Sequence, residues 1–375
     1  MIKQEVAEIK KLFSMHNCSI TRICGCYVDG EKNKKTEFKE AFLALPEEEM
    51  FKYFEILRKT LSGAIGKHLL NMDIPLIEEY PGGTQEFLLR LRDSKLKDNE
   101  LLDVYYDRII RSYEYAGNYL ILVIHDVYDV PGKTTDGMEM EDASDEIYEY
   151  ILTCICPVNL SKPGLEYNAE ENTFQNGIRD WVVGMPEVGF LFPAFNNRSA
   201  DIHSVLYYSK NSEELKDTFV EQMIGCKAPL SADAQDESFQ ILIEELLGAE
   251  CDIETVKSIY NNLTEMAIEN KENPIPLILG KDEIAPLFVK SGVSDERMDE
   301  FDSCFDYIIG ENTVLQVDNI IHTKTFDIKT PDVIVKVKAE RTDLVEEKII
   351  DGRRCLVIAY SGDVQINGIS VKGGK

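Results

Sequence analysis

The sequence predicts an α+β fold with a mixed α/β body at the N-terminus, a helical middle segment and a small C-terminal β-hairpin module. Three observations predict it. Residues 119–127 form an apolar run that is typical of a buried central strand. Apolar residues recur at helical spacing between positions 236 and 310, and from Thr325 onward they alternate with polar residues. We therefore expect three segments, at residues 1–230, 231–312 and 313–375.

The N-terminal body is predicted to mix helices and strands. Apolar residues recur at helical spacing from Ile2 to Phe13, and Pro46 followed by three glutamates favours the start of a helix. The segment 186–197 is rich in Gly, Pro and Asn, so we expect a loop there. Predicted strands lie at 19–30, 119–127, 147–158 and 202–208, and predicted helices at 2–13, 46–63, 99–115 and 211–225.

The middle and C-terminal segments carry different local signals. Asp252 is placed to cap the second helix of the middle segment, because its carboxylate can accept from the first backbone amides. Asp351-Gly352 and Asn367-Gly368 are typical of the tight turns that join antiparallel strands. We therefore expect helices up to residue 312 and hairpins after it.

The overall charge excludes several function classes. The chain carries a formal net charge of −28, from 40 Lys and Arg against 68 Asp and Glu. A surface this negative repels nucleic-acid phosphates and anionic lipid headgroups, so we expect neither general nucleic-acid binding nor membrane binding. The charged N-terminus does not resemble a secretory signal, and nine cysteines suit a reducing compartment. We expect a cytoplasmic protein.

Two Cys-x-Cys pairs are the candidate metal ligands. Cys24 and Cys26 lie on one predicted strand, and Cys154 and Cys156 lie on another. Residues two apart on a strand share a face, so neighbouring strands would bring four thiols around a zinc ion. The alternative is that these small residues fill a core, since structural zinc sites more often use Cys-x-x-Cys turns. We predict no cofactor, with zinc as the alternative.

His125 is the first candidate for acid–base chemistry. His125 and Asp126 end the predicted central strand and Asp129 follows closely, so an imidazole and a carboxylate could form a base and its orienting partner. His203 is the second candidate. A purely structural role for both histidines is the alternative interpretation.

Lys133 is a candidate phosphate-binding residue that follows His125 in the sequence. Gly132-Lys133-Thr134 resembles the end of a phosphate-binding loop, but Val127 occupies the position of that motif's first glycine. Seven acidic residues between Asp136 and Glu149 would repel phosphates unless a hard cation intervened. These residues define the enzyme alternative, a hydrolase or phosphoryl-handling protein that acts through His125 and Lys133.

Positive charge is concentrated near the C-terminus. From Lys329 onward the chain has nine Lys and Arg against seven Asp and Glu. Nucleic-acid binding through this module is a further alternative, although the net charge of the whole chain disfavours it. The layout of an α/β body, helices and a hairpin tail that ends at residues 351–358 resembles bacterial nucleoid-associated proteins, which implies the same alternative. The candidate contacts are Lys336, Lys338, Arg341, Arg353 and Arg354.

Five stretches of the sequence resemble a known bacterial family. They are residues 20–30, 82–88, 128–133, 155–164 and 201–210. These stretches are similar to the family of domain of unknown function 4317 from Firmicutes, and the resemblance extends over nearly the whole chain. It implies a bacterial cytoplasmic protein, but it implies no activity and no catalytic residue.

The sequence as a whole favours a non-enzymatic binding or regulatory protein. None of the candidate sites has the complete residue pattern that its chemistry requires. The uneven distribution of charge and the tyrosine-rich segments are instead typical of recognition surfaces. We therefore expect a protein as the binding partner.

Overall fold

The computed structural model describes residues 1–133, 139–162, 164–177, 179–321, 325–362, 364–366 and 369–371. It confirms the α+β fold. The chain divides into two compact units, Met1–Ala232 and Asp233–Lys375, and the second contains both the helices and the hairpins predicted after residue 230. In the described part of the chain, every helix is too short or too polar to cross a bilayer.

The first unit is built on one eight-stranded sheet flanked by helices. The helices are α1 (Lys3–Leu12), α2 (Glu47–Thr60), α3 (Thr84–Asp93), α4 (Asn99–Ser112) and α5 (Asp217–Met223). The strands are β1 (Arg22–Val28), β2 (Lys34–Glu40), β3 (Leu69–Asp73), β4 (Asn118–Lys133), β5 (Glu139–Leu160), β6 (Leu165–Asn168), β7 (Thr173–Asn176), β8 (Trp181–Val183), β9 (Val188–Phe192), β10 (Ala194–Asn196), β11 (Ser199–Asp201) and β12 (Ser204–Ser209).

The sheet is antiparallel throughout and is covered on both faces. Its strand order is β2-β1-β4-β5-β9-β12-β3, and β8 pairs with the end of β5. Helices α1 and α2 pack on one face, and α3, α4 and α5 pack on the other. Because water is excluded from both faces, side chains that point either way along the central parts of β4 and β5, residues 121–126 and 150–158, are buried.

The prediction of a loop at 186–197 is wrong. Val188–Phe192 forms β9, an interior strand of the sheet in which all five residues are buried. A Cβ on Gly189 would lie 2.4 Å from the carbonyl oxygen of Thr153 and 2.5 Å from Cγ2 of Thr60 on α2. The glycine that favours a loop in the sequence instead allows α2 to approach the sheet closely.

The helix predicted at 211–225 is shorter than expected. Helix α5 begins only at Asp217. Oδ1 of Asn211 accepts from the backbone amide of Glu213 at 3.0 Å, so this residue closes an Asx turn rather than capping a helix.

The second unit combines a helical core with hairpins. Its helices are α6 (Ala232–Leu247), α7 (Ile253–Glu269), α8 (Lys281–Lys290), α9 (Asp295–Met298), α10 (Phe301–Ile308) and α11 (Val317–Ile320). Its strands are β13 (Ile278–Leu279), β14 (Leu315–Gln316), β15 (Thr325–Lys329), β16 (Ile334–Lys338), β17 (Val345–Ile350), β18 (Arg353–Ile358), β19 (Val364–Ile366) and β20 (Ile369–Val371). Phe288 packs against both Phe239 and Phe301 in the core, with ring centroids 6.1 and 5.8 Å apart.

Two predicted local signals are confirmed in this unit. Oδ1 of Asp252 accepts from the backbone amide of Thr255 at 2.8 Å and caps α7. Asp351 and Gly352 both have positive φ, +50° and +73°, as the tight turn between β17 and β18 requires. Asn367-Gly368 lies outside the described residues, between the paired strands β19 and β20.

We expect Gly189→Ala to lower the free energy of unfolding by about 1–3 kcal/mol, because the added methyl group must displace α2 or the backbone of β5. Urea denaturation followed by circular dichroism measures the change. Gly164→Ala is the matched control, since no described atom lies within 4 Å of the place where its added Cβ would be, and its stability should equal that of the wild type. Equal stability of both variants would contradict the close packing of α2 on β9.

Candidate functional site

Two neighbouring polar residues on β4, His125 and Asp126, are completely buried. They point to opposite faces of the sheet because side chains alternate along a strand. On β5, His125 lies opposite Ile151, which packs beneath α3–α5, and Asp126 lies opposite Tyr150, which packs beneath α1 and α2. Each of the two polar groups therefore needs its own hydrogen-bond partners.

His125 is the middle member of a chain of three polar side chains. Oγ1 of Thr21 lies 2.7 Å from Nδ1 of His125, and Oε1 of Glu149 lies 2.7 Å from Nε2. Thr21 immediately precedes β1 and is exposed, whereas Glu149 lies on β5 and is half-buried. This row of hydrogen-bonded side chains therefore connects the protein surface to a buried imidazole.

The protonation state of His125 follows from its surroundings. Burial lowers the pKa of His125, against the raising effect of the Glu149 carboxylate. The ring is therefore neutral near pH 7, with one donor and one acceptor nitrogen. Because a carboxylate only accepts, Nε2 donates to Glu149 and Nδ1 accepts from the hydroxyl of Thr21. This polarity is the one that a general base and its orienting carboxylate require.

Asp126 is enclosed by donors on the other face. Its Oδ2 accepts from the hydroxyl of Tyr150 at 2.6 Å, its Oδ1 accepts from the amide of Val127 at 2.8 Å, and the hydroxyl of Ser19 also donates to it. Burial raises the pKa of Asp126, and these hydrogen bonds oppose the rise. Tyr150 also stacks on Tyr148, with ring centroids 4.8 Å apart. A carboxylate with its acceptor sites filled in this way serves the packing of the sheet.

The other candidate residues of this site do not join the His125 cluster. Lys133 lies eight residues from His125 along the same strand, a span of roughly 26 Å. The side chain of Lys133 lies outside the described part of the chain, as do residues 134–138. Asp129 is exposed, four residues from His125. His203 precedes β12, three strands away from β4 in the sheet, and its ring contacts Gln85 instead.

The two Cys-x-Cys pairs lie on opposite faces of the sheet. Cys24 and Cys26 pack beneath α3–α5, whereas Cys154 and Cys156 pack beneath α1 and α2, and β4 separates the two strands. The four thiols therefore do not converge. Burial also raises the pKa of Cys24 to about 11 and those of Cys26 and Cys154 to about 12, which disfavours the thiolate that a metal binds. Among the described residues, no group of three or more His, Cys, Asp or Glu is arranged to hold a metal ion.

Three of the five candidate nucleic-acid contacts are paired with carboxylates. The other two candidates, Lys338 and Arg353, are exposed. A carboxylate beside a lysine or arginine balances its positive charge, which weakens its attraction to a phosphate backbone. These pairs are Lys336 with Asp327 at 3.3 Å, Arg341 with Asp343 at 2.9 Å, and Arg354 with Glu347.

Two antiparallel strand pairs, β5 with β8 and β6 with β7, lie among the described residues between 158 and 183, a segment that we call the aromatic arm. Strand β4 pairs with β5 only as far as Val158, and beyond that point β5 pairs with β8, where Leu160 lies opposite Trp181. The same register continues into β6 and β7, where Asn168 lies opposite Thr173.

The aromatic arm exposes large apolar side chains. Leu165 is 77% exposed, Phe174 69% and Trp181 55%. The rings of Tyr167 and Phe174 contact each other across the strands, with centroids 5.5 Å apart. Trp181 is the only tryptophan of the chain. Exposed large apolar side chains that lie together are typical of surfaces that bind another molecule.

Sequence patterns identify His125 and Asp126 but miss their partners. Thr21 and Glu149 lie 104 and 24 residues from His125 along the chain, so only the pairing of the strands places them beside it. The arm has one local signal, since aromatic residues flank the polar segment 168–173 as they do in an exposed hairpin.

We expect His125→Gln to flatten the pH dependence of stability between about pH 7 and 5. The pKa of His125 is lowered in the folded state, so on acidification below about 6.5 the unfolded chain binds a proton first, and the free energy of unfolding falls by up to about 1.4 kcal/mol per pH unit. The variant lacks this proton uptake. Urea denaturation at several pH values measures both slopes, and identical slopes would contradict the assignment of a neutral, buried ring.

We expect Tyr150→Phe to lower the free energy of unfolding by about 1–3 kcal/mol, because it removes a donor from the buried Asp126 carboxylate. Tyr106→Phe is the matched control. Tyr106 is also fully buried, but its hydroxyl has no hydrogen-bond partner within the described ranges, so this change should be neutral or stabilising. Equal effects of the two substitutions would show that Asp126 does not depend on Tyr150.

Comparison with known proteins agrees with the resemblance predicted from the five sequence stretches. No curated protein matches the chain. The model of the domain of unknown function DUF4317 matches residues 1–369, which is nearly the whole of the 375-residue chain. The protein therefore belongs to the DUF4317 family.

Proposed function

We propose that this protein is a non-enzymatic cytoplasmic binding or regulatory protein that contacts a partner protein through the aromatic arm. The observation that carries the proposal is the exposure of Leu165, Phe174 and Trp181 on the paired strands of the arm. A few large anchors, often aromatic as Phe174 and Trp181 are, supply most of the binding energy in many protein interfaces.

The aromatic arm consists of paired strands with exposed apolar side chains. A two-stranded ribbon in water is only marginally stable on its own, because it has no third layer on which to bury its apolar side chains. A partner surface would provide that layer, and each large side chain that becomes fully buried would contribute about 1.5–3 kcal/mol. Burial of these side chains on a partner would therefore stabilise both the fold of the arm and the complex that it forms.

The enzyme alternative has weaker support. Its acid–base residue His125 does have a polarised hydroxyl and a carboxylate beside it, but Lys133 lies roughly 26 Å along the strand. Acid–base chemistry requires groups within hydrogen-bond reach of one substrate. The nucleic-acid alternative is disfavoured by the carboxylates that pair with Lys336, Arg341 and Arg354.

We expect the double substitution Phe174→Ser and Trp181→Ser to reduce recovery of the partner from a native lysate by about tenfold or more, since each aromatic anchor contributes about 2 kcal/mol or more. Affinity purification of the full chain with quantitative mass spectrometry measures the recovery. Phe51→Ser is the matched control, because Phe51 is an aromatic residue on α2 that is also about half exposed but lies outside the arm.

The single tryptophan provides an independent measurement. When the identified partner is added to the purified wild-type chain, the emission of Trp181 should shift to shorter wavelength and become protected from iodide quenching, because binding removes water from the indole. Partner recovery that survives loss of both aromatic residues, or binding without a change at Trp181, would reject the arm as the binding surface.

A further inference from the structure

The second unit contains a cavity of about 500 Å³. Helices α6 and α7, strand β15 and the helical turn at Ala339–Leu344 surround it. This volume lies within the range of 300–1,000 Å³ that is typical of small-molecule sites. The cavity therefore has room for a ligand the size of an amino acid or a short peptide.

The inner wall of the cavity is apolar and aromatic. Ile243 from α6, Val256 and Tyr260 from α7, and Phe326 from β15 form it. The rings of Tyr260 and Phe326 meet edge to face, with centroids 6.4 Å apart and an interplanar angle of 68°. Two rings at this angle form a corner that accepts a flat or branched apolar group.

The rim of the cavity carries one carboxylate and one ammonium group. Glu244 on α6 and Lys329 at the end of β15 are both exposed, and neither forms an ion pair with any residue that the structure describes. Asp327, the other charged residue of the lining, is already occupied by Lys336 at 3.3 Å and by the hydroxyl of Thr325. Lys329 also attracts the Asp327 carboxylate and helps to lower its pKa. The lining therefore offers one carboxylate and one ammonium group that are not held in a direct ion pair.

The side-chain amide of Asn261 adds a directional hydrogen-bonding group to the lining. Oδ1 of Asn261 accepts from the hydroxyl of Thr342 at 2.9 Å, which fixes the orientation of the amide. The NH₂ group of Asn261 has no acceptor among the described residues and lines the same cavity. It is thus available to donate to a carbonyl or carboxylate oxygen of a ligand.

We propose that this cavity binds a zwitterionic amino compound with an apolar side chain, either a free α-amino acid or a dipeptide. Glu244 receives the ligand's ammonium group, Lys329 and the Asn261 amide receive its carboxylate or carbonyl, and its side chain packs in the corner of Tyr260 and Phe326. A purely apolar ligand would leave both rim charges desolvated and unpaired. A nucleotide would bring several negative charges towards a single lysine flanked by carboxylates.

Isothermal titration calorimetry on the full chain tests the ligand class. The probes are L-phenylalanine, L-leucine and the dipeptide Leu-Phe, with phenethylamine and 3-phenylpropanoate as analogues that keep only one charge. We expect at least one zwitterion to bind with a dissociation constant between about 1 µM and 1 mM, and both single-charge analogues to bind about tenfold more weakly or not at all. The comparison of Leu-Phe with the free amino acids distinguishes the two sources.

Four substitutions test the site itself. Glu244→Gln and Lys329→Met should each weaken the zwitterion about tenfold or more. Glu245→Gln, the neighbouring carboxylate on α6, and Lys338→Met, an exposed lysine on β16, lie outside the lining and should bind as the wild type does. Circular dichroism and urea denaturation of each variant establish that it is folded, so that a loss of affinity reports on the site.

Three outcomes would overturn the proposal. They are the absence of binding by every zwitterion up to about 10 mM, equal binding of a zwitterion and a single-charge analogue, and wild-type affinity in both Glu244→Gln and Lys329→Met. The cavity and the aromatic arm lie in different units and share no residue, so failure of this proposal leaves the proposed function untouched.

Discussion

The first unit depends on one constraint, which is that helices cover both faces of its central strands. Water does not reach His125 and Asp126 there, and a buried ionisable group without hydrogen-bond partners is costly, so both depend on partners within the protein. His125 and Asp126 meet this requirement in opposite directions, the first through Thr21 and Glu149 and the second through Tyr150. A slip of one residue in the pairing of β4 would turn both groups towards the wrong layer. The same backbone register thus fixes the apolar layers and the polar contacts.

Elements with strong local signals could be predicted from the sequence. The run at 119–127 identifies β4, and Asp351-Gly352 identifies the turn between β17 and β18, because both depend on residues adjacent in the chain. Strand β9 could not be predicted in this way. Its Gly189 is required by a helix that packs on it from more than 120 residues earlier, and in the sequence a required glycine looks the same as one in a loop.

The candidate sites show the same division between local and distant information. His125 and Asp126 stand out because two polar residues end an apolar run, but nothing in the sequence near them indicates Thr21. The spacing of the two Cys-x-Cys pairs suggested a shared metal site. Whether the four thiols meet depends on the order of the strands and on which face of the sheet each pair occupies. The sequence near Lys336 and Arg354 likewise shows no carboxylate that must pair with them. Their partners lie on the opposite strand of each hairpin. The sequence therefore identifies the candidate residues themselves, whereas the residues that contact them follow only from the topology of the strands.

The constant register of the aromatic arm has an evolutionary consequence. The strand pairs β5–β8 and β6–β7 share the same register, so the arm can lose or gain one residue on each side without changing which residues face each other in the rest of it. Such paired insertions and deletions leave the orientation of everything nearer the sheet unchanged, whereas a change on one side alone would force a bulge. The reach of this segment can therefore diverge among relatives while the body that carries it stays constant.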